Sequence, residues 1–96
     1  MNGGFGQMSS ASLDGTWGGT QDGVSAQIIV VGASVIGFYW RDDYLAVSGV
    51  AFSTDRRSLS FDFKGGKATL TCGGERTASL DVSEGGHDVN LYLQRD

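Results

Sequence analysis

Apolar and polar residues alternate with a period of two along the second half of the chain. The alternation is clearest in four segments, which cover residues 58–64, 67–72, 77–82 and 88–94. A period of two places every second side chain on the same face of an extended strand, whereas a helix needs a period near 3.6. No segment of 10 or more residues shows the helical period. The pattern therefore predicts four β-strands, each with one buried face and one exposed face.

Pairs of glycines separate these strands and predict where the chain turns. A two-residue hairpin at Gly65-Gly66 and another at Gly85-Gly86 would keep apolar residues opposite apolar residues. The inward pairs would then be Phe63 with Ala68 and Val82 with Val89.

The connection Gly73-Gly74-Glu75 predicts a different turn. A two-residue loop there would place the inward Cys72 opposite the charged Glu75. A three-residue loop with a bulge sets Leu70 opposite Ala78 and keeps both residues on the inner face. We therefore expect the longer loop at this position.

The first half of the chain predicts four more strands, although its alternation is less regular. They are Leu13–Thr20, Val24–Val31, Val35–Trp40 and Tyr44–Phe52. Ile28–Val31 is apolar on both faces, and so is Val35–Trp40 apart from Gly37. Because a strand of this kind is covered on both sides, we expect a dimer partner, the N-terminal segment or a ligand on its outer face.

Eight strands joined by short loops predict the fold class. We expect an all-β, eight-stranded antiparallel up-and-down meander that forms a closed or nearly closed small barrel, because closure hides the edge strands. A two-sheet β-sandwich is the alternative. Residues 1–11 are small and polar, and they indicate either a disordered leader or residues added for expression. Residues 12–96 then form a single domain.

Charge and composition exclude several classes of partner. The chain of 96 residues has a net charge of −4 and scattered basic residues, whereas nucleic acids and anionic membranes attract clustered Lys and Arg. The longest apolar run, Ile28–Val31, is too short to span a bilayer. The one cysteine allows no disulfide within the chain. A secreted or periplasmic location is expected, with the cytoplasm as the other option.

A short motif near the start of the chain resembles a known family. Residues 13–19 read LDGTWGG, and the chain ends in a Leu-x-Leu-x-Arg strand over residues 91–95. This is similar to the lipocalin-like (calycin) barrels, including short bacterial domains that begin with GTWxG. The resemblance implies one lipocalin-like barrel over residues 12–96, in which Trp17 closes one end and Arg95 lies on its indole ring.

The residues that usually carry catalysis are sparse and isolated. His87 is the one histidine and sits at a predicted hairpin, and Cys72 falls on a predicted buried face. One His and one Cys do not form a metal-ligand set, and the inward residues of the last four strands include no charged or amide side chain. We therefore expect no catalytic residue, no metal, no cofactor and no enzymatic activity.

Binding is the function that the sequence favours. An eight-stranded barrel can hold one small ligand, so the first hypothesis is a lipocalin-like module for a small apolar molecule. The alternative is a protein-interaction domain, either an enzyme inhibitor or a homo-oligomeric assembly subunit. Its contacts would come from an aromatic cluster around a predicted turn, because Trp, Tyr and Arg are enriched at interaction hot spots. The cluster consists of Phe38, Tyr39, Trp40, Arg41 and Tyr44.

Overall fold

The computed structural model describes residues 13–32, 34–74 and 76–95. These residues form nine β-strands and no helix. The strands are β1 (Gly15–Gln21), β2 (Val24–Val31), β3 (Ser34–Trp40), β4 (Asp43–Tyr44), β5 (Val47–Phe52), β6 (Ser58–Phe63), β7 (Gly66–Cys72), β8 (Thr77–Glu84) and β9 (His87–Arg95). Residues 1–11, for which a leader is predicted, lie outside the described part of the chain.

All nine strands belong to one antiparallel sheet in the order β4-β3-β2-β1-β9-β8-β7-β6-β5. The first and last long strands pair at Trp17 with Arg95 and at Gly18 with Gln94, so both ends of the domain meet in the middle of the sheet. The sheet is strongly curled into a half-barrel. The prediction of an all-β meander is confirmed, and the single sheet excludes the sandwich alternative.

The free edges of the sheet are β4 and β5, which are neighbours along the chain. No backbone ladder joins them among the described residues, so the predicted barrel is open at this point. Aromatic side chains pack across the opening instead. The Phe38 ring of β3 lies 4.9 Å from the Phe61 ring and 5.3 Å from the Phe63 ring of β6, measured between centroids. Edge-to-face contacts of this kind add stability beyond their buried area.

The interior consists of side chains that alternate inward along the strands, as a half-buried sheet requires. The described residues contain no buried polar or charged side chain. The largest members, each less than 2 % exposed, are Trp17, Phe38, Phe61, Leu13, Ile28, Leu59, Leu70, Leu80, Leu91, Leu93, Val30 and Val82.

Two of the three predicted turns need correction. The turn at Gly85-Gly86 is confirmed, since Val82 pairs with Val89 and both glycines have positive φ angles of 58° and 87°. These angles are those of a type I′ hairpin.

At Gly65-Gly66, the chain turns one residue earlier than predicted. Phe63 pairs with Gly66 and not with Ala68, whose partner is Phe61. A Cβ atom at Gly66 would collide with the Ser83 carbonyl oxygen of β8, so Gly66 must lie inside the strand. The turn itself is formed by Lys64 and Gly65.

The loop after β7 is longer than predicted. Leu70 pairs with Leu80, and Cys72 pairs with Ala78. The backbone N–H groups of Gly73 and Gly74 both donate to the Thr77 carbonyl oxygen, at 2.9 and 3.1 Å. β8 begins at Thr77, one residue later than a loop of three residues would place it. The partner of Leu70 therefore moves by two residues, and the inward face is preserved.

The predicted strand Tyr44–Phe52 is divided in two. The Leu45 backbone N–H donates to the Phe38 carbonyl oxygen at 2.9 Å, which ends β4 against β3. The chain then crosses to β6, where the ladder of β5 is interrupted between Ser48 and Ala51. Gly49, with φ of 63°, lies within this irregularity, and such a bulge bends an edge strand.

The described part of the chain contains no helix that is long and apolar enough to cross a membrane.

Candidate functional site

Trp17 and Arg95 form a contact at one end of the barrel. The indole is fully buried, and its Nε1–H donates to the Leu13 carbonyl oxygen at 2.8 Å. The Arg95 guanidinium carbon lies 4.5 Å from the centroid of that ring, and its Nη1 donates to the Asp14 carbonyl oxygen at 2.7 Å. The arginine therefore shields the indole face and ties the strand that ends the domain to the segment that starts it.

Trp40 occupies the opposite end of the barrel in a comparable way. Its ring is 3 % exposed, and its Nε1–H donates to Glu84 Oε1 on β8 at 3.3 Å. The Arg41 guanidinium carbon lies 5.5 Å from the centroid of the Trp40 ring. Each barrel end thus has a buried indole beneath an arginine, and the hydrogen bond to Glu84 connects β3 to the far side of the sheet.

The predicted aromatic cluster does not form one surface. Phe38 is fully buried and Trp40 nearly so, because alternation along β3 directs both rings into the core. These two residues therefore belong to the core. Arg41 is exposed in the turn after β3. Tyr39 and Tyr44 are the members of the cluster that reach the outer face.

Tyr39 and Tyr44 are paired across neighbouring strands at the edge of the sheet. Their backbones are in register, and their rings meet edge to face with centroids 5.4 Å apart. Tyr39 is 37 % exposed and Tyr44 is 60 % exposed. The pair is held in place by the ladder, so its exposed surface is ordered before any partner arrives.

Two aliphatic side chains on neighbouring strands also face solvent. Val31 and Ile36 are each more than half exposed, at 56 % and 58 %. The register of β2 and β3 shifts between Ile29 and Val30. The expectation that β2 and β3 carry apolar residues on both faces therefore holds, and nothing in the described chain covers these two side chains.

The inner face of the sheet carries one continuous apolar cluster. Phe38 contacts both Phe61 and Phe63, and the three rings belong to a cluster of buried residues from seven strands. The predicted small apolar ligand would have to bind against these rings.

A shallow groove lies on the outer face of β1 and β2, beside the tyrosine pair. It encloses about 290 Å³, and its lining is Gly18, Gly19, Thr20, Ser25, Ala26, Gln27, Tyr39 and Asp42. Ser25 Oγ donates to Asp42 Oδ1 at 3.2 Å, and the Arg41 backbone N–H donates to the Ser25 carbonyl oxygen at 2.8 Å. These bonds fix the carboxylate at the rim of the groove.

The isolated reactive residues are not brought together. His87 is exposed at the start of β9, and Cys72 is buried with its Sγ 3.0 Å from the Gly74 carbonyl oxygen. Among the described residues, no group of three His, Cys, Asp or Glu is arranged to hold a metal ion.

One carboxylate has a shifted pKa. Asp55 Oδ1 accepts hydrogen bonds from Ser53 Oγ at 2.6 Å and from the Arg57 backbone N–H at 3.1 Å. These bonds favour the ionised form, with the Ser53 bond contributing most, and lower the pKa of the Asp55 carboxyl from 3.8. Asp55 lies in the loop between β5 and β6, away from the groove, and organises that loop.

The groove was missed by the sequence analysis, although the sequence contains one signal for it. Gly18 lies inside a strand where the pattern calls for an outward side chain. The sequence analysis used the glycines of LDGTWGG only as part of a family motif. No protein-family model, no curated protein and no solved structure matches this chain.

Proposed function

We propose that this chain is a non-enzymatic binding module that contacts a protein partner with the outer face of β2 to β4. The observation that carries the proposal is the ordered, exposed pair of Tyr39 and Tyr44 at a free sheet edge. Tyrosine supplies a large contact area at low entropic cost and is enriched at interfaces. Val31 and Ile36 extend the same face with further exposed apolar surface.

The free edge supports the same surface. β4 is a two-residue edge strand, and β5 is the edge on the other side of the opening. Unpaired backbone groups at a sheet edge can accept a strand from another chain, with side-chain pockets providing specificity. A partner that adds a strand beside β4 would reach Tyr44 directly.

The lipocalin-like identity is part of this proposal. The meander and the contact between Trp17 and Arg95 support the resemblance, and they carry no activity by themselves. A bacterial origin and a secreted or periplasmic location are also part of the proposal, on the strength of the resemblance. The small apolar ligand is the second hypothesis, and we rank it below the outer face because the apolar side chains of the inner face are buried against one another.

Self-association and capture of a protein partner test the proposal. The double variant Tyr39→Ser/Tyr44→Ser should abolish concentration-dependent dimerisation in sedimentation velocity, or the retention of a specific protein on the immobilised chain. Tyr92→Ser is the matched control, because Tyr92 is exposed at 71 % on β9 and its loss should leave binding unchanged. Equal effects of both variants, or a monomer with no retained protein, would contradict the proposal. A retained apolar molecule in native mass spectrometry would favour the second hypothesis.

A further inference from the structure

Close contacts or positive φ angles require glycine at the other glycine positions inside the strands, whereas neither requires it at Gly18. A Cβ atom at Gly19 would collide with the Tyr92 carbonyl oxygen, and one at Gly66 with that of Ser83. At Gly37 the Ile29 side chain lies 3.1 Å from the Cβ position. At Gly18 the nearest atom is the Ala26 carbonyl oxygen at 3.8 Å, an ordinary contact, and φ lies outside the left-handed region.

A side chain at Gly18 would therefore fit, and it would stabilise the strand. Glycine inside a strand costs about 0.5–1 kcal/mol relative to alanine, since it loses more conformational freedom on folding. Gly18 pairs with Gln27 on one side and Gln94 on the other, so it does not lie at an edge. Glycine inside a strand often marks a bulge, a tight bend or a place where a ligand or another backbone approaches closely. The ladder between β1 and β2 continues through Gly18 without a register shift, which favours the last of these.

The space above Gly18 is the groove beside Tyr39. The register places Tyr39 next to Gln27, and Gln27 next to Gly18. Adjacent strands lie about 4.8 Å apart, so the backbones of Tyr39 and Gly18 are separated by about 10 Å, with Gln27 between them. Among the described residues, the Gln27 amide and the Thr20 hydroxyl have no hydrogen bond to another side chain or backbone group.

The chemistry of the lining restricts the ligand. The groove contains an amide, two hydroxyls, one carboxylate and one aromatic ring, and none of its lining residues is Lys or Arg. Without a cation, and with Asp42 at the rim, the groove disfavours phosphates and other anions. Its apolar surface is limited to Ala26 and Tyr39, which disfavours a lipid. The remaining class is a neutral ligand with many groups that both donate and accept hydrogen bonds.

We propose that the groove floored by Gly18 binds a neutral saccharide. Each sugar hydroxyl can donate one hydrogen bond and accept others, which matches the Gln27 amide, the Thr20 and Ser25 hydroxyls and the Asp42 carboxylate. The C–H face of a sugar ring packs on the apolar body of an aromatic side chain, here Tyr39. The volume of about 290 Å³ is close to the lower limit of small-molecule sites and suits one ring of a glycan.

The turn beside the groove agrees with this assignment. Arg41 and Asp42 form a hairpin turn in which both residues have positive φ angles, 55° and 70°, although Asn-Gly is the favoured pair for such a turn. Residues in this conformation persist because the surrounding structure holds them. The Asp42 side chain is held by Ser25, so the strained turn delivers a positioned acceptor to the groove.

The test is a titration of the ¹⁵N-labelled chain with neutral gluco-, manno-, galacto- and N-acetylglucosamine oligosaccharides. A shallow groove should give a dissociation constant near about 1 mM, so a concentration of about 10 mM suffices for detection. We expect at least one series to shift the amides of β1 and β2 around Gly18 and Gln27. If none of the series shifts these amides, the proposal is overturned.

A side chain at position 18 would fill the floor of the groove, so a variant there tests whether the saccharide binds in the groove. Gly18→Val should weaken saccharide binding at least tenfold while the thermal midpoint stays unchanged or rises. Thr71→Val is the control, because it places the same side chain on the outer face of β7, away from the groove, and should leave binding intact. Equal affinity in both variants overturns the proposal, as does a preference for charged sugars or for peptides at these amides.

This inference rests on the proposed function only in placing recognition on the outer face, and the two can fail separately. Tyr44 does not line the groove, so Tyr44→Ser should remove protein association and keep saccharide binding. Gly18→Val should do the reverse.

Discussion

Replacing Arg95 by methionine should destabilise the domain by about 2 kcal/mol. The guanidinium gives up its position 4.5 Å above the Trp17 ring and its hydrogen bond to the Asp14 carbonyl oxygen. A cation–π contact contributes about 0.5–2 kcal/mol, and a hydrogen bond from a half-exposed charged group about 1 kcal/mol. Methionine keeps the straight apolar stem that packs beside Gly15, so the loss reports the charged head rather than the packing.

Urea unfolding measures this change. In a domain of this size, 2 kcal/mol lowers the thermal midpoint by about 8–16 °C, and the urea dependence of the free energy should be unchanged. Far-UV circular dichroism follows the sheet, while tryptophan fluorescence follows both buried indoles. Arg56→Met is the matched control, since Arg56 lies 4.6 Å above the Phe52 ring but on an exposed loop. It should cost less than about 1 kcal/mol.

A double-mutant cycle decides whether the two residues act as a pair. Trp17→Phe removes the indole, and its combination with Arg95→Met should be less destabilising than the sum of the single changes by about 1 kcal/mol. A coupling energy below about 0.3–0.5 kcal/mol would mean that the contact is incidental. The barrel end would then be closed by burial of the indole alone.

Three further predictions follow from burial, close approach and charge. Phe38→Ala should lower the free energy of unfolding by about 3–5 kcal/mol, whereas Tyr44→Ala, which loses the edge-to-face contact with Tyr39, should lower it by less than about 1.5 kcal/mol; comparable losses would contradict the inward and outward assignments. Gly19→Ala should destabilise the domain in urea unfolding, because its Cβ meets the backbone of β9, while Gly18→Ala should leave it unchanged or more stable. The Asp55 pKa is lower in the folded chain than its ordinary value of 3.8, so its contribution is present above that value and is lost as the pH falls through the folded pKa. A carboxyl titration followed by NMR should give a midpoint below 3.8, and a midpoint at or above it would show that the loop bonds do not persist in solution.

The alternation of apolar residues was sufficient to locate the strands. β2 has the predicted bounds, and the bounds of the four strands of the second half differ from the predicted ones by at most two residues. This succeeds because each strand has one wet face, so that shifting it by one residue would expose its whole apolar set. Up-and-down order follows from the short connections, and pairing of β1 with β9 follows from closure of the meander.

The registers of the hairpins were only partly predictable. The alternation fixes which residues point inward. Registers that differ by two residues keep the same residues on the inner face, so the alternation cannot choose between them. The first residue of β7 must be a glycine, because the backbone of β8 lies too close to Gly66 for a side chain. The local sequence does not encode this contact between strands. The loop after Cys72 is set by two backbone donors that share the Thr77 carbonyl oxygen. Neither feature has a residue-level signal beyond the presence of glycine.

The site was harder to predict than the fold for a related reason. Because β3 is apolar on both faces, its sequence could not show that Phe38 and Trp40 point inward while Tyr39 points outward. The groove has only one signal in the sequence, a glycine at a position of β1 where the alternation calls for an outward side chain. Only comparison of the glycines with their surroundings separates Gly18, which the fold does not need, from Gly19, which it does.

The position of the opening in the sheet connects the fold to the proposed binding face. β1 and β9 pair with each other in this meander, and every pair of sequential strands is hydrogen-bonded except β4 and β5. Residues 45 and 46 join these two strands, so the chain itself spans the opening and limits how far it can widen. Phe38 holds the two sides together through side-chain contacts rather than a ladder. Such an edge combines free backbone groups with a rigid core behind them, and Tyr39 and Tyr44 lie where a partner can use both.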